Sequence, residues 1–223
     1  VVHQSTHHSV FSGYTKFLDY LKNVTLILPK PFFSHFLAKK IAKKIGKGLG
    51  NYNTTSFLKE IQLIYNLLIN FNKKKVVHYL NGERDINLAV RLFSKNKSTK
   101  FIATFHKPPS ILESLITKNK YLKKLDGAIV VGENQIEHIK SWLQLKNVIY
   151  IPHGVDINFF KPNFNLRSNK SKNIVFVGQH LRDFDVFNNT VSLLLEEDDE
   201  IIINVIIKED VAAKVIKHPK INI

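Results

Sequence analysis

The side chains that could do chemistry in this chain gather in a few loops. One of them, Ser5 to Tyr14, carries Ser12, Gly13 and Tyr14 just ahead of a helical stretch. A glycine near a helix start lets backbone N–H groups approach an anion closely. A plain strand-to-helix turn is the competing reading. His3, His7 and His8 lie in or beside this loop, but no fourth ligand accompanies them, so no metal site is expected. A second loop, Thr104-Phe105-His106-Lys107-Pro108-Pro109, sets an imidazole at the end of an apolar run and before a proline-stiffened turn. His106 is placed to face a cleft; a packed histidine is the alternative. A third, Leu80-Asn81-Gly82-Glu83-Arg84-Asp85, opens on a turn signal, with Asp85 as a plausible helix N-cap. Its preferred reading is structural, with Glu83 a weaker contact for an acceptor.

Such loops need strands to end on. Val24–Leu28, Val76–Leu80, Phe101–Phe105, Gly127–Val131 and Val148–Ile151 are short, apolar and nearly continuous, as strands buried on both faces are. Helical stretches separate them. Ser56 to Phe71 places Phe57, Ile61, Ile64, Leu68 and Phe71 on one stripe, and 86–94 and 134–143 are shorter. Strands separated by helices imply right-handed crossovers and a parallel sheet, with ligands expected at the carboxyl ends of its strands. After Pro162 comes a polar linker, then the alternation restarts: strand 174–177, helix 184–195, strand 201–207, helix 209–217. The expected division is a Rossmann-like domain over 1–152, a hinge and linker over 153–172, and the start of a second such domain over 173–223. A sheet of two or three strands exposes too much apolar surface to be a complete domain. The chain also opens without methionine, so a few residues are expected in front of Val1.

The segment Ile151-Pro152-His153-Gly154-Val155-Asp156-Ile157-Asn158-Phe159-Phe160-Lys161-Pro162, between a strand and a new apolar run, resembles the interdomain segment of GT-B glycosyltransferases, specifically glycosyltransferase family four. The resemblance extends to the strand-end His106 and to the loop Gly178-Gln179-His180-Leu181-Arg182. It implies a sugar transferase that takes a nucleotide-diphosphate sugar as donor, retains anomeric configuration and needs no metal or other cofactor. His106 would orient the donor sugar and help stabilise positive charge at its anomeric carbon. Gly178 and Arg182 would hold the diphosphate, which a guanidinium can grip with two parallel hydrogen bonds; a surface pairing of Arg182 with Asp183 or Asp185 is the alternative. Ser12, Gly13 and Tyr14 would face donor and acceptor, and His153, Gly154 and Asp156 would form the hinge. The acceptor, whether glycan, lipid or small molecule, is not legible. The family's pair of glutamates late in the carboxyl-terminal domain has no counterpart here, and the run Glu196–Glu200 reads as a solvated turn. A GT-B nucleotide-sugar epimerase is an alternative, for which no cluster of carboxylates and histidines is evident in the sequence.

Composition narrows the partners. The 223 residues carry a formal net charge of +15, which favours anionic partners: phosphorylated small molecules, lipid headgroups or nucleic acid. A lysine-rich surface without a dedicated partner is the plainer reading. Nucleic acid sites interleave aromatics with arginine, whereas the basic residues here are mostly lysines and gather in one helix. That helix, expected over 31–49, sets Phe33, Leu37, Ile41, Ile45 and Leu49 at a spacing of four, with Phe36 beside them. Lys39, Lys40, Lys43, Lys44 and Lys47 fall on the other face. Such a helix suits an anionic membrane surface or a core-packing role with a solvated lysine face. With no cysteine, neither disulfides nor thiolate metal sites can form, and a reducing cytoplasm fits, with a peripheral position at the inner membrane face as an option.

Overall fold

Two parallel sheets organise the chain. The computed structural model describes residues 1–2, 16–32, 34–162, 172–179 and 182–223. It is an α/β protein of two units, Val1–Phe160 and Lys161–Ile223, each with its own sheet.

In the first unit β1 (Lys75–Tyr79), β2 (Thr99–Phe105), β3 (Gly127–Val130) and β4 (Val148–Tyr150) lie side by side in that order. Val2 extends this sheet beyond β1, bridging Tyr79 on one side and Ile27 on the other. From Val2 the chain moves outward to Ile27, then returns on Val2's other flank to begin β1. That reversal is a topological switch point, where open α/β sheets leave a crevice outside the carboxyl ends of the strands. Tyr79, Phe101, Ala103, Phe105 and Val130, on one face of the sheet, are wholly shielded, whereas Val76, Lys100 and Ile149 on the other are exposed, so the burial expected on both faces is complete on one. The run at 24–28, expected as a strand, pairs only through Ile27; Val24, Leu26 and Leu28 are exposed. It lies at the sheet's outer edge, where Val2 is the one residue it bridges among those described.

Around this sheet lie α1 (His35–Ile45), α2 (Thr54–Ile69), α3 (Gly82–Asp85), α4 (Leu88–Phe93), α5 (Pro109–Leu115) and α6 (Ile136–Leu143). Asn53 caps α2 by accepting the amide of Ser56. The buried face of α2 is Ser56, Phe57, Lys59, Glu60, Leu63 and Leu67, while Leu68 and Phe71 are 59% and 51% exposed. The expected stripe is therefore rotated by about one residue, because polar side chains at 56, 59 and 60 find partners inside. The basic helix is also shorter than expected. Ser34 caps it, Gly46 ends it, and it packs on α2 through Ala38 and Ala42, with Ile41 and Ile45 partly covered. Phe36 and Leu37 face outward. Phe33 lies outside the described residues.

The second unit holds β5 (Lys172–Val177), α7 (Phe184–Glu197), β6 (Ile201–Ile206), α8 (Glu209–Ala212) and β7 (Ile221–Asn222), with sheet order β5-β6-β7. One sheet face packs on α7, where Phe176 meets Phe187 at 4.2 Å and Ile203, Val205 and Val191 are buried. On the other face Val175, Val177 and Ile206 are exposed. The helix expected over 209–217 stops at Ala212. The acidic turn is pinned at its strands: Asp198 pairs with Lys172 and Asp199 with Lys220.

Candidate functional site

The short helix α3 follows β1 directly and carries two carboxylates, Glu83 and Asp85. At about 100° per residue, side chains two apart leave a helix on nearly opposite sides. Close approach seats α3 in place. A Cβ on Gly82 would come within 2.9 Å of the Phe105 ring and 3.0 Å of the Thr104 carbonyl. Gly50, at φ +72°, lies so close that a Cβ would sit 2.1 Å from the Glu83 carbonyl, which accepts the Asn51 amide instead.

Asp85 points toward α2. It is fully buried, pairs with Lys59 at 2.5 Å, accepts the Ser56 hydroxyl at 2.8 Å and is bridged by Arg84. Beside it Glu60, also fully buried, accepts the amides of Asn87, Leu88 and Ala89 at the start of α4. The hydroxyl of Tyr52 adds a fourth bond at 3.0 Å and that of Tyr79 a longer one at 3.4 Å. Burial nevertheless pushes Glu60 up to about 7, and pushes Lys59 down. This network was missed in the sequence. Its one local signal is that Lys59 and Glu60 are the sole charges in an otherwise uncharged helix. Asp85, expected as an N-cap, instead ends α3 as the partner of a buried lysine.

Glu83 points the other way, to the carboxyl end of β2. It is 2% exposed and accepts the backbone amides of His106 and, at 2.8 Å, Lys107. Its second oxygen lies 3.4 Å from His106 Nδ1. Burial alone would raise this carboxyl; the hydrogen bonds and charge of His106 outweigh it and hold the group below its ordinary value. The His106 ring lies parallel to His153, with centroids 5.7 Å apart and planes 4° apart. Burial, then the charge of His106, push His153 down. His78, on β1, sits 2.8 Å from the Thr104 hydroxyl and is driven to about 4, chiefly by burial, so it is neutral near pH 7. Gln135 ties the neighbouring strand ends together. Its amide donates to the Lys107 carbonyl at 2.6 Å, and its oxygen accepts the Val131 and Gly132 amides.

The sequence thus separates residues that the fold unites. His106 and His153 stack; Glu83, expected to reach an acceptor, grips the His106 backbone instead. Asp156 accepts the amides of Asn158 and Phe159 and pairs with Lys16 at 3.4 Å, so it shapes the turn after His153. A Cβ on Gly154 would meet nothing within 4 Å. Ser12, Gly13 and Tyr14 lie outside the described residues. Among the described residues no group of three or more His, Asp or Glu side chains converges as a metal-ligand set.

In the second unit Gly178 ends β5 at φ +85°, a conformation that favours glycine, and its amide donates to the Ile206 carbonyl. Arg182 lines an open cleft of about 620 Å³ with Asp183, Phe184, Asp185 and Lys214. It makes no ion pair with Asp183 or Asp185. Asp183 caps α7, taking the amides of Asp185 and Val186. An anion here would therefore meet the cations of Arg182 and Lys214 rather than bare helix amides.

No protein-family model and no curated protein matches the chain.

Proposed function

We propose that the chain is a GT-B sugar transferase, family-four-like, that moves a sugar from a nucleotide-diphosphate donor to an acceptor with retention and without a metal. Its resemblance at residues 151–162 and the chemistry of its strand ends support this reading. His106 would orient the donor sugar, and Arg182, assisted by Gly178 and Lys214, would bind the diphosphate. Ser12, Gly13 and Tyr14 would serve donor and acceptor.

The observation that carries the reading is the place of His106. It ends a central parallel strand, next but one to Val2 across the switch point, and a buried carboxylate holds its backbone. In α/β proteins that position is where ligands bind. Titration calorimetry with UDP and GDP sugars tests it. Arg182→Ala is expected to weaken donor binding about tenfold or more, as the loss of a charge-assisted phosphate contact should. Unchanged affinity would count against the phosphate role, and no binding of any nucleotide sugar by the wild type would remove the reading. A nucleotide sugar isomerised without acceptor would instead favour an epimerase, to which the Glu83, His106 and His153 cluster is chemically suited.

The partner surface is argued separately. Phe32, Phe36 and Leu37 are exposed, and Phe36 reaches 78%. Phe32 lies 6.3 Å from Tyr65 of α2, and Leu68 and Ile69 continue that exposed face. Beside this apolar patch stand the exposed Lys39, Lys40, Lys43, Lys44 and Lys47. An anionic lipid surface at the cytoplasmic side of the membrane fits both, each lysine adding about 1 kcal/mol. No helix among the described residues is long and apolar enough to cross a membrane. Sedimentation with phosphatidylglycerol vesicles should exceed that with neutral ones; equal binding, or none, removes the electrostatic lipid partner.

A further inference from the structure

We infer that the amino-terminal edge of the first sheet is a docking face for anionic lipid headgroups, built from lysines of the four loops that enter β1, β2, β3 and β4.

Cations and carboxylates divide along these strands. The loop into β1 carries Lys73 and Lys74, and Lys75 opens the strand. The loop into β2 carries Lys95 and Lys97, and Lys100 is the second residue of that strand. Lys123 and Lys124 precede β3, and Lys146 precedes β4. The four stretches, 70–75, 94–100, 122–126 and 144–147, thus hold nine lysines against one carboxylate, Asp126. Lys100 takes that carboxylate at 2.7 Å, and among the described residues none of the other eight pairs with an acid. All but Lys75 are exposed. Burial, then the charge of Lys73, push Lys75 down, as crowding of cations does. The stretches that leave the same strands, 80–85, 106–108, 131–135 and 151–156, reverse the balance: Glu83, Asp85, Glu133 and Asp156 stand there against Arg84 and Lys107.

The fold holds the entering loops in one row. The Lys75 amide donates to the Ser98 carbonyl at 2.9 Å, and the Asn96 side chain donates to the Phe71 carbonyl, which joins the first two. Asp126 accepts the Phe101 amide, which joins the third to β2, and the Asn147 side chain donates to the Asp126 carbonyl at 3.1 Å, which joins the fourth. Neighbouring strands about 4.8 Å apart spread the row over roughly 15 Å. β2 is seven residues long, so the two ends of the sheet lie about 20 Å apart, more than about two Debye lengths at physiological salt. The carboxylates at the far end therefore do not offset the lysines at this one.

A row of lysines with apolar neighbours suits a bilayer surface. Ile69 and Phe71 lead into the first loop, Val76 follows it and Leu92 precedes the second, all more than half exposed. Such side chains enter the headgroup boundary while the lysines meet its charge. Single-stranded nucleic acid is gripped by cations together with a series of stacking aromatics, whereas Phe71 is the one aromatic in the four stretches. A chain docked by this edge turns the carboxyl ends of the strands, and His106 with them, away from the bilayer. That the anion is a lipid headgroup rests on the proposed lipid partner; that the lysines form one edge does not.

Vesicle sedimentation with the full chain tests the face. Lys73→Gln, Lys74→Gln, Lys95→Gln and Lys97→Gln together should weaken binding to phosphatidylglycerol vesicles about a hundredfold or more. These side chains are exposed, so the melting temperature should hold within a few degrees. A folded variant that binds within about threefold of wild type, less than one lysine is worth, overturns the docking face and leaves the lipid partner standing. Wild type that binds charged and neutral vesicles alike removes both. Wild type that ignores vesicles but binds an oligonucleotide at about 0.15 M salt overturns the proposal in favour of nucleic acid. A second measurement reads the orientation without the lysine variant. The chain has no cysteine, so an environment-sensitive dye can be attached at Asn72→Cys, beside Lys73, or at Asn134→Cys, beyond the carboxyl end of β3; both positions are exposed. Phosphatidylglycerol vesicles should shift the dye's emission at position 72 and leave it unchanged at 134. Any other pattern overturns the proposal.

Discussion

The two sides of α3 solve the problem of a buried carboxylate differently. On the inner side Asp85 meets a lysine with no exposure at all, and neighbouring Glu60 has both oxygens occupied by amides and hydroxyls. Lys59, Glu60 and Asp85 are wholly shielded, with the bridging Arg84 partly exposed at the margin. On the outer side Glu83 holds the backbone and faces the ring of His106, on which the exposed His153 stacks. The inner cluster is closed, as groups that hold elements together must be. The outer one couples buried charge to a partly exposed imidazole, as ligand sites do. The difference teaches that burial of charge alone does not mark a site; the marker is what stands between the charge and solvent.

The comparison breaks most readily at Asp85. Asp85→Ala leaves the Lys59 ammonium buried without its partner and should cost about 3–5 kcal/mol in denaturant unfolding. Joint replacement, Lys59→Met with Asp85→Leu, should recover most of that loss. A single variant as stable as wild type would show that the inner cluster is not a structural bond. The next effect concerns pH. Glu60 is raised from 4.5 to about 7 by burial, so its contribution to stability is full below 4.5 and is lost as pH rises through about 7. The wild-type unfolding midpoint should fall over that window by an amount worth about 3 kcal/mol. Glu60→Gln should flatten the profile. A wild type already flat there would show that the three amides keep the carboxylate ionised, closing the inner cluster further. The smallest effect belongs to the outer side. His153→Leu should change stability by less than about 1 kcal/mol, since the ring contact of an exposed residue is lost, and under the proposed transferase reading it should weaken nucleotide-sugar binding. A large loss of stability with intact binding would reverse the roles assigned to the two sides.

Much of the scaffold was readable because it is local. The runs at 75–79, 99–105 and 127–130 are short and rich in apolar residues, and the shielded face of each strand demands that. The loop of His106 was readable for the same reason, since the end of a buried strand is itself a local signal. The face of α2 was not, because a count of apolar residues places Lys59 and Glu60 in water. Their partners, Asp85 and the start of α4, lie more than two turns of helix and a strand away in the chain. Asp85 reads from the sequence as an N-cap rather than as the partner of a buried lysine, since the rotation of a four-residue helix leaves no periodic trace. The stacking of His153 on His106 joins residues whose strands are not neighbours in the sheet, and hinge chemistry alone gave no reason to expect it.

The brevity of α3 has a consequence for anyone redesigning this protein. One residue inserted or removed between Gly82 and Asp85 would swing the following side chain by about 100°. A single codon change in length would therefore misdirect one carboxylate into its neighbour's territory, spoiling cohesion and recognition in the same stroke. Loop grafts aimed at new specificity should leave this turn at its native length and vary the flanking segments instead.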